Sequence, residues 1–227
     1  MLPFPTKLNP RHWHRHKSER RKLDGVKFDV FEMSTGTQPE KVFYYWNGND
    51  VDLKLDDALN FFLTKIGLTK NWTDIFTYGK LLYKTASDYV WYQRYEPAVV
   101  SARNLIGIYA VNHLDDSILP DQLKGKQCVL ISLRSVPKDL INNKSIRDLL
   151  KALPYWKQMR NEPQIVWHGA YLLVGNGDKT SVHKFDSEDE GGWLPQFVTN
   201  FAFPKYVQDE AILATQYIRD HKGELTA

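Results

Sequence analysis

The 227 residues are 42% apolar and carry 30 basic against 27 acidic side chains, a net charge of +3. That length and apolar content suit one globular domain with a core able to surround a ligand, and the charge is too weak to indicate nucleic acid as a partner. No apolar run reaches the roughly 18 to 20 residues that cross a bilayer, and the start of the chain lacks the apolar core of a secretory signal, so a soluble protein is expected.

Residues 1–19 read as a basic tail or helix. Arg11 to Lys22 hold six Lys/Arg and one acid, a tract that suits a solvated face, an anionic lipid surface or organelle targeting. Within it His12, His14 and His16 lack Cys or acidic companions, so an exposed basic tract is expected rather than a metal site. "DGVKFDVFEM" (Asp24 to Met33) alternates Val26, Phe28 and Val30 after a turn signal and reads as a strand; "KVFYYWNGNDV" reads as a second. "LKLDDALNFFLTKIG" reads as a helix, with Asp56 and Asp57 near its start and Leu59, Phe62, Leu63 and Ile66 on one side.

Short alternating runs bounded by turn residues follow: "GKLLYKTA", "DYVWYQRYE", "NLIGIYAVNHL" and "QCVLISLRSV", the pattern of a meandering antiparallel sheet. Ser145 can cap "SIRDLLKAL", whose Ile146, Leu149, Leu150 and Leu153 recur at helical spacing before Pro154. "QIVWHGAYLLVG" and "TSVHKF" are two more strands, with "GNGDKT" as a hairpin turn rather than a phosphate loop. "EDEGGWLPQFVTNF" reads as strand, tight acidic turn and helix. From Phe197 to about Arg219, Phe203, Val207, Ala211, Ala214 and Ile218 form one stripe, and Pro204 is expected to kink or restart the helix.

The single cysteine, Cys128, cannot close an internal disulfide, which fits a reducing, cytoplasmic location; within an apolar strand it reads as a small core residue, not a nucleophile. A curved sheet gripping a long C-terminal helix satisfies the element order, and the space between them is a natural place for an apolar cavity.

Four stretches together resemble the START domains, the lipid-transfer domains related to the steroidogenic acute regulatory protein. "GGWLPQFVTNF" is similar to the signature opening the family's last helix, through Gly191, Gly192, Leu194, Pro195 and Asn200. "YEPAVVSARNLIGIY" resembles the family's turn and strand through Ser101 and Arg103; "KNWTDIF" resembles its Trp-Asp pair through Trp72 and Asp74; "DGVKFDVF" resembles its first strand through Asp24, Gly25 and Val26. Asn104 stands where the family usually has an acid, and Lys138 to Pro163 is longer than the corresponding loop, as in a divergent member.

The resemblance implies an α+β helix-grip (START / Bet v 1-like) fold, a single domain over residues 20–222, and an internal apolar cavity. It implies binding of one sterol, phospholipid, fatty-acid-like or other hydrophobic ligand and its transfer between membranes, by a monomer without catalysis or cofactor that touches membrane surfaces transiently. An acyl chain gains about 0.8 kcal/mol for each methylene it buries, and its polar head needs a buried partner. Arg94, Glu96 and Arg103 are the candidate partners; Arg94 and Glu96 also fit a solvent-side pair, and Arg103 an anchor of its strand. Trp91, Trp167 and Tyr171 on strands, and Phe197, Val198 and Phe201 on the last helix, are candidates to face the ligand. Leu149, Leu150, Leu153, Tyr155 and Trp156, flanked by Lys144, Arg147, Lys151, Lys157 and Arg160, have the makeup of a lid or membrane contact, or of a surface helix packed on the sheet. Two other readings stay open. A cyclase- or hydratase-like enzyme would need His113, His168 or His183 inward beside an acid, and a ligand-sensing interaction module would show a fixed apolar surface patch.

Overall fold

Alternation of large apolar and polar residues dominates residues 76–185, and in the computed structural model these runs form one antiparallel sheet. The structure describes residues 14–15, 22–23, 26–27, 31–34, 41–65, 75–97, 101–137, 141, 143–189 and 203–226. The strands are β1 (His14–Arg15), β2 (Lys22–Leu23), β3 (Val26–Lys27), β4 (Phe31–Ser34), β5 (Lys41–Val51), β6 (Phe76–Lys84), β7 (Asp88–Tyr95), β8 (Arg103–Leu114), β9 (Cys128–Ser135), β10 (Val166–Asn176) and β11 (Lys179–Asp189). Nine make one sheet in the order β1-β4-β5-β11-β10-β9-β8-β7-β6, and β2 and β3 pair apart from it. Every ladder is antiparallel. Register shifts at Phe76/Tyr78 and Leu81/Tyr83 on β6, and at Val182/Lys184 on β11, mark bulges that bend the sheet.

The start of the chain differs from expectation. His14–Arg15, inside the tract expected as tail or helix, are extended and pair with β4. The strand expected over Asp24 to Met33 is divided: Val26–Lys27 pair with β2, whereas Phe31–Ser34 pair with β5. The expected "GNGDKT" turn is the β10–β11 hairpin, whose Gly177 has φ +66°, a left-handed conformation that glycine adopts without steric cost.

Helix α1 (Leu55–Asn60) has Asp56 and Asp57 in its first turn and continues in π-helical winding over Phe61–Lys65. Helices α2 (Lys144–Lys151) and α3 (Trp156–Met159) lie between β9 and β10. Asn143, not Ser145, caps α2: its side-chain oxygen accepts the Ser145 N–H at 3.0 Å, leaving Ser145 inside the first turn. Helix α4 (Phe203–Asp220) precedes the short α5 (Lys222–Leu225). Pro204 falls in the first turn of the described helix, where its missing N–H costs nothing. The Gly191-Gly192 junction and the helical start expected at Phe197 lie outside the described residues.

Strand alternation divides the core into two layers. Inward from the sheet, Trp91, Tyr109, Ile131, Trp167, Tyr171 and Val182 pack with Ala58 of α1, with Phe61 and Phe62 of the π-helical turn that follows it, and with Ala211, Ala214 and Ile218 of α4. The last three belong to the expected stripe and are buried. On the opposite face Tyr92, Ile106 and Val136 pack against Leu150, Leu153 and Met159 of the α2–α3 segment. The result is the helix-grip arrangement: an antiparallel sheet holding a long C-terminal helix on one face, here with an extra helical layer on the other.

Candidate functional site

The inner face is aromatic with a buried charged centre. Residues Trp167 and Tyr171 on β10 and Lys184 and Asp186 on β11 come together because the hairpin register pairs Tyr171 with Lys184 and Gly169 with Asp186. Directly paired residues project to one side of a sheet, so all four share the inner face. The Lys184 ammonium lies 3.0 Å from Asp186 Oδ2 and 3.3 Å from Glu210 Oε1 of α4, and the three side chains are at most 10% exposed. The Trp167 indole N–H donates to Asp186 Oδ1. Lys184 also stands 5.2 Å from the Trp167 ring centroid and 5.0 Å from that of Tyr171. One ammonium thus sits between two carboxylates with aromatic walls, an arrangement that offsets the cost of taking charges from water only while the pairing is intact.

Around this centre Tyr171 meets Phe62 of the π-helical turn at 4.8 Å between ring centroids, and Tyr109 meets Trp167 edge-on at 5.8 Å. The Tyr109 hydroxyl is 3.3 Å from Gln93 Oε1. The Trp91 indole donates to the Leu63 carbonyl at 3.0 Å, satisfying an acceptor that the π winding leaves at the helix end. Arg103 alternates with Leu105 and Tyr109 on the inner face, is 1% exposed, and donates from Nη1 to the Ser101 carbonyl at 2.6 Å. Chemically, the inner face combines aromatic, apolar walls with buried charged groups that are paired with one another.

Among the sequence candidates, Trp91, Arg103, Trp167 and Tyr171 lie on this face. Phe197, Val198 and Phe201 lie outside the described residues. Arg94 and Glu96 do not belong here. Arg94 alternates with Val90 and Tyr92 on the opposite face, because Trp91 and Gln93 take the inner positions of β7. There its Nη2 is 2.7 Å from Glu162 Oε1 and its Nη1 2.9 Å from Glu96 Oε2, with the guanidinium 4.6 Å from the Tyr155 ring centroid. The hydrogen bonds to Glu162, reinforced by those to Glu96, raise the Arg94 pKa above its ordinary value despite desolvation. Sequence reading missed Lys184, Asp186 and Glu210; the signal for the first two was charged residues spaced by two within the otherwise apolar face of a strand in "VHKFD", and Glu210 had none comparable on the helix.

The lid candidates are also placed on the outer face. Leu150 and Leu153 are buried against the sheet, and Trp156 packs beside them, so these side chains are core to the extra layer instead of a cover for the inner face. Tyr155 packs edge-on with Tyr78, and Leu149 points away, 44% exposed. The hydrophobic period that suggested an interfacial helix is the period with which α2 packs on the sheet. Beside it opens a cavity of about 580 Å³ lined by Asn104, Ile106, Ile141, Arg147, Lys151, Trp156, Met159, Arg160, Glu162, Pro163 and Gln164.

The histidines considered for acid–base work do not join the inner centre. His113 and His168 are exposed. His183 pairs with Leu172, which packs in the outer cluster with Cys128, and burial lowers its pKa. Burial likewise raises the pKa of Cys128. Among the described residues no group of three or more His, Cys, Asp or Glu could hold a metal ion, and no helix is long and apolar enough to cross a membrane.

Neither a protein-family sequence model nor a curated protein sequence matches the chain. Solved structures do. The human StAR-related lipid transfer protein 5 superposes with a TM-score of 0.62 at 16% identity, over 93% of this chain and 90% of that one. The human StarD13 (DLC2) lipid transfer and protein localization domain gives 0.61 at 14%, over 90% and 87%. The STAR-related lipid transfer protein fragment from Xanthomonas axonopodis gives 0.59 at 16%, over 92% and 98%.

Proposed function

With the START fold as premise, we propose that this chain binds one lipid-like molecule against the inner face of its sheet, under α4, and carries it between membranes as a monomer with transient membrane contact. The observation that carries the reading is the inner face itself. It combines Trp91, Trp167, Tyr171 and the aromatic turn of α1 with the buried Lys184, Asp186 and Glu210. Apolar walls supply the affinity for acyl or ring carbons at about 25 cal/mol per Å² buried, and the charged centre gives a hydroxyl or head group a partner out of water. Arg103, at the end of the same face, is a second polar contact in this scheme. Phe197, Val198 and Phe201, outside the described residues, stay candidate ligand contacts in this scheme.

The similarity to solved lipid transfer proteins supports this reading at the level of fold. A test is transfer of fluorescent sterol and phosphatidylcholine analogues between donor and acceptor vesicles. The wild-type chain should accelerate transfer of at least one, and Trp167→Ala should reduce that acceleration. Transfer no faster than the spontaneous rate for sterols, phospholipids and fatty acids would count against it.

A further inference from the structure

The outer cavity is separate from the inner face and differs from it in charge. Three of its lining residues are cations: Arg147 and Lys151, one helical turn apart on α2, and Arg160 just after α3. Its one acidic lining residue, Glu162, is already engaged by Arg94, which donates to Glu162 from Nε at 3.1 and 3.2 Å and from Nη2 at 2.7 Å. Lys151 is paired at 2.9 Å with Asp148, which is half-exposed and not part of the lining. Neither Arg147 nor Arg160 has a carboxylate within ion-pair distance among the described residues, and both are exposed to incoming ions. The remaining walls are apolar (Ile106, Ile141, Trp156, Met159) or amide (Asn104, Gln164).

We propose that this outer cavity is a binding site for a phosphate group carried on an apolar or ring-bearing body. The charge argues for phosphate over carboxylate. A carboxylate brings one negative charge to the two guanidiniums of Arg147 and Arg160, whereas a phosphate monoester brings about −1.5 to −2 and three acceptor oxygens, which both guanidiniums can share, with the Lys151 ammonium beside them. The volume argues for a body. At about 580 Å³ the cavity falls within the range of sites for whole small molecules, far larger than a bare ion needs, and the partly exposed Trp156 and Ile141 walls offer apolar contact. Because α2 and α3 pack on the sheet through Leu150, Leu153 and Met159, the cations stand on a fixed platform. The site does not depend on the inner face holding a lipid.

Two sources of such a group are distinguishable with the full chain. In one arm, thermal unfolding is followed with inorganic phosphate against chloride at matched ionic strength; in the other, cosedimentation is measured with phosphatidylcholine vesicles with and without phosphatidic acid. Each arm compares the wild type, Arg147→Gln/Arg160→Gln and Lys126→Gln/Lys179→Gln; the last removes the same charge from exposed lysines near the β10–β11 hairpin, outside the cavity. The expected result is a response in at least one arm, weakened on the order of tenfold or more by Arg147→Gln/Arg160→Gln and little changed by Lys126→Gln/Lys179→Gln. A response to inorganic phosphate identifies a soluble ligand, and a response to vesicles alone identifies a lipid head group. No response in either arm, or equal weakening by the two double variants, would overturn the site. The second result would mean diffuse charge attraction only. An unchanged unfolding temperature of the variants in chloride confirms that the comparison is between folded proteins.

Discussion

Removing the Glu162 carboxylate should strongly destabilise the outer face. Arg94 and Glu162 have side chains only 8% and 11% exposed, and the guanidinium meets both carboxylate oxygens. Deleting one partner of a buried pair costs about 3–5 kcal/mol because the other is left charged in a poor solvent. Glu96, 2.9 Å from Nη1 and 56% exposed, stays in place and softens the loss. Glu162→Ala is therefore expected near the lower bound, about 3 kcal/mol. At about 2–4 °C per kcal/mol for a chain of this size, the melting temperature should fall by about 6–12 °C. Urea unfolding, with the m-value held as a check on two-state behaviour, gives the free energy. Adding Arg94→Met should recover part of it, since the stranded charge is then gone. A loss below about 1 kcal/mol for Glu162→Ala, or strict additivity with Arg94→Met, would refute the claim that this pair pins the extra layer to the sheet.

Other positions give independent checks. Leu150→Ala should cost about 2–5 kcal/mol, while its exposed neighbour Leu149→Ala should stay within about 0.5 kcal/mol by the same urea assay; the reverse order would make α2 a membrane-facing rather than a sheet-packed helix. A Cβ at Gly169 would stand 2.7 Å from both Asp186 Oδ1 and the Phe185 carbonyl, so Gly169→Ala should destabilise by about 1–3 kcal/mol, and an unchanged melting temperature would contradict that packing. His183, whose folded-state pKa lies below its ordinary 6.5, binds a proton more readily when unfolded. Its contribution is present above that value and lost as the pH falls towards the folded pKa, so His183→Gln should flatten the decline of stability on mild acidification; an identical pH profile would exclude it as a contributor.

Where side-chain period and packing coincide, the sequence was readable. The expected runs at 41–51, 88–96, 104–114 and 127–136 hold β5, β7, β8 and β9 to within a residue at each end, and Ala211, Ala214 and Ile218 form the buried stripe of α4. Sidedness was harder. In "WYQRYE" alternation puts Trp91 and Arg94 on opposite faces, but it does not say which face becomes the inner one; pairing with β8 and burial of Gln93 beside Tyr109 decide that, and Arg94 goes outward. For α2 the amphipathic period was clear, yet a period is equally compatible with lipid and with a sheet. The inner charged centre was hidden for a different reason. Lys184 and Asp186 look like the polar side of a surface strand until the β10 register sets them beside Trp167 and Tyr171 and α4 brings Glu210 over them.

The most direct measurement of the central claim is native mass spectrometry of the purified chain, followed by lipid identification in an organic extract. If the inner face holds a lipid, the protein should carry one equivalent of a copurified lipid, or take one up from a panel of sterols, phospholipids and fatty acids, and Lys184→Met or Trp167→Ala should weaken that complex. A folded chain that is empty as purified and binds no member of the panel would contradict lipid binding at this face.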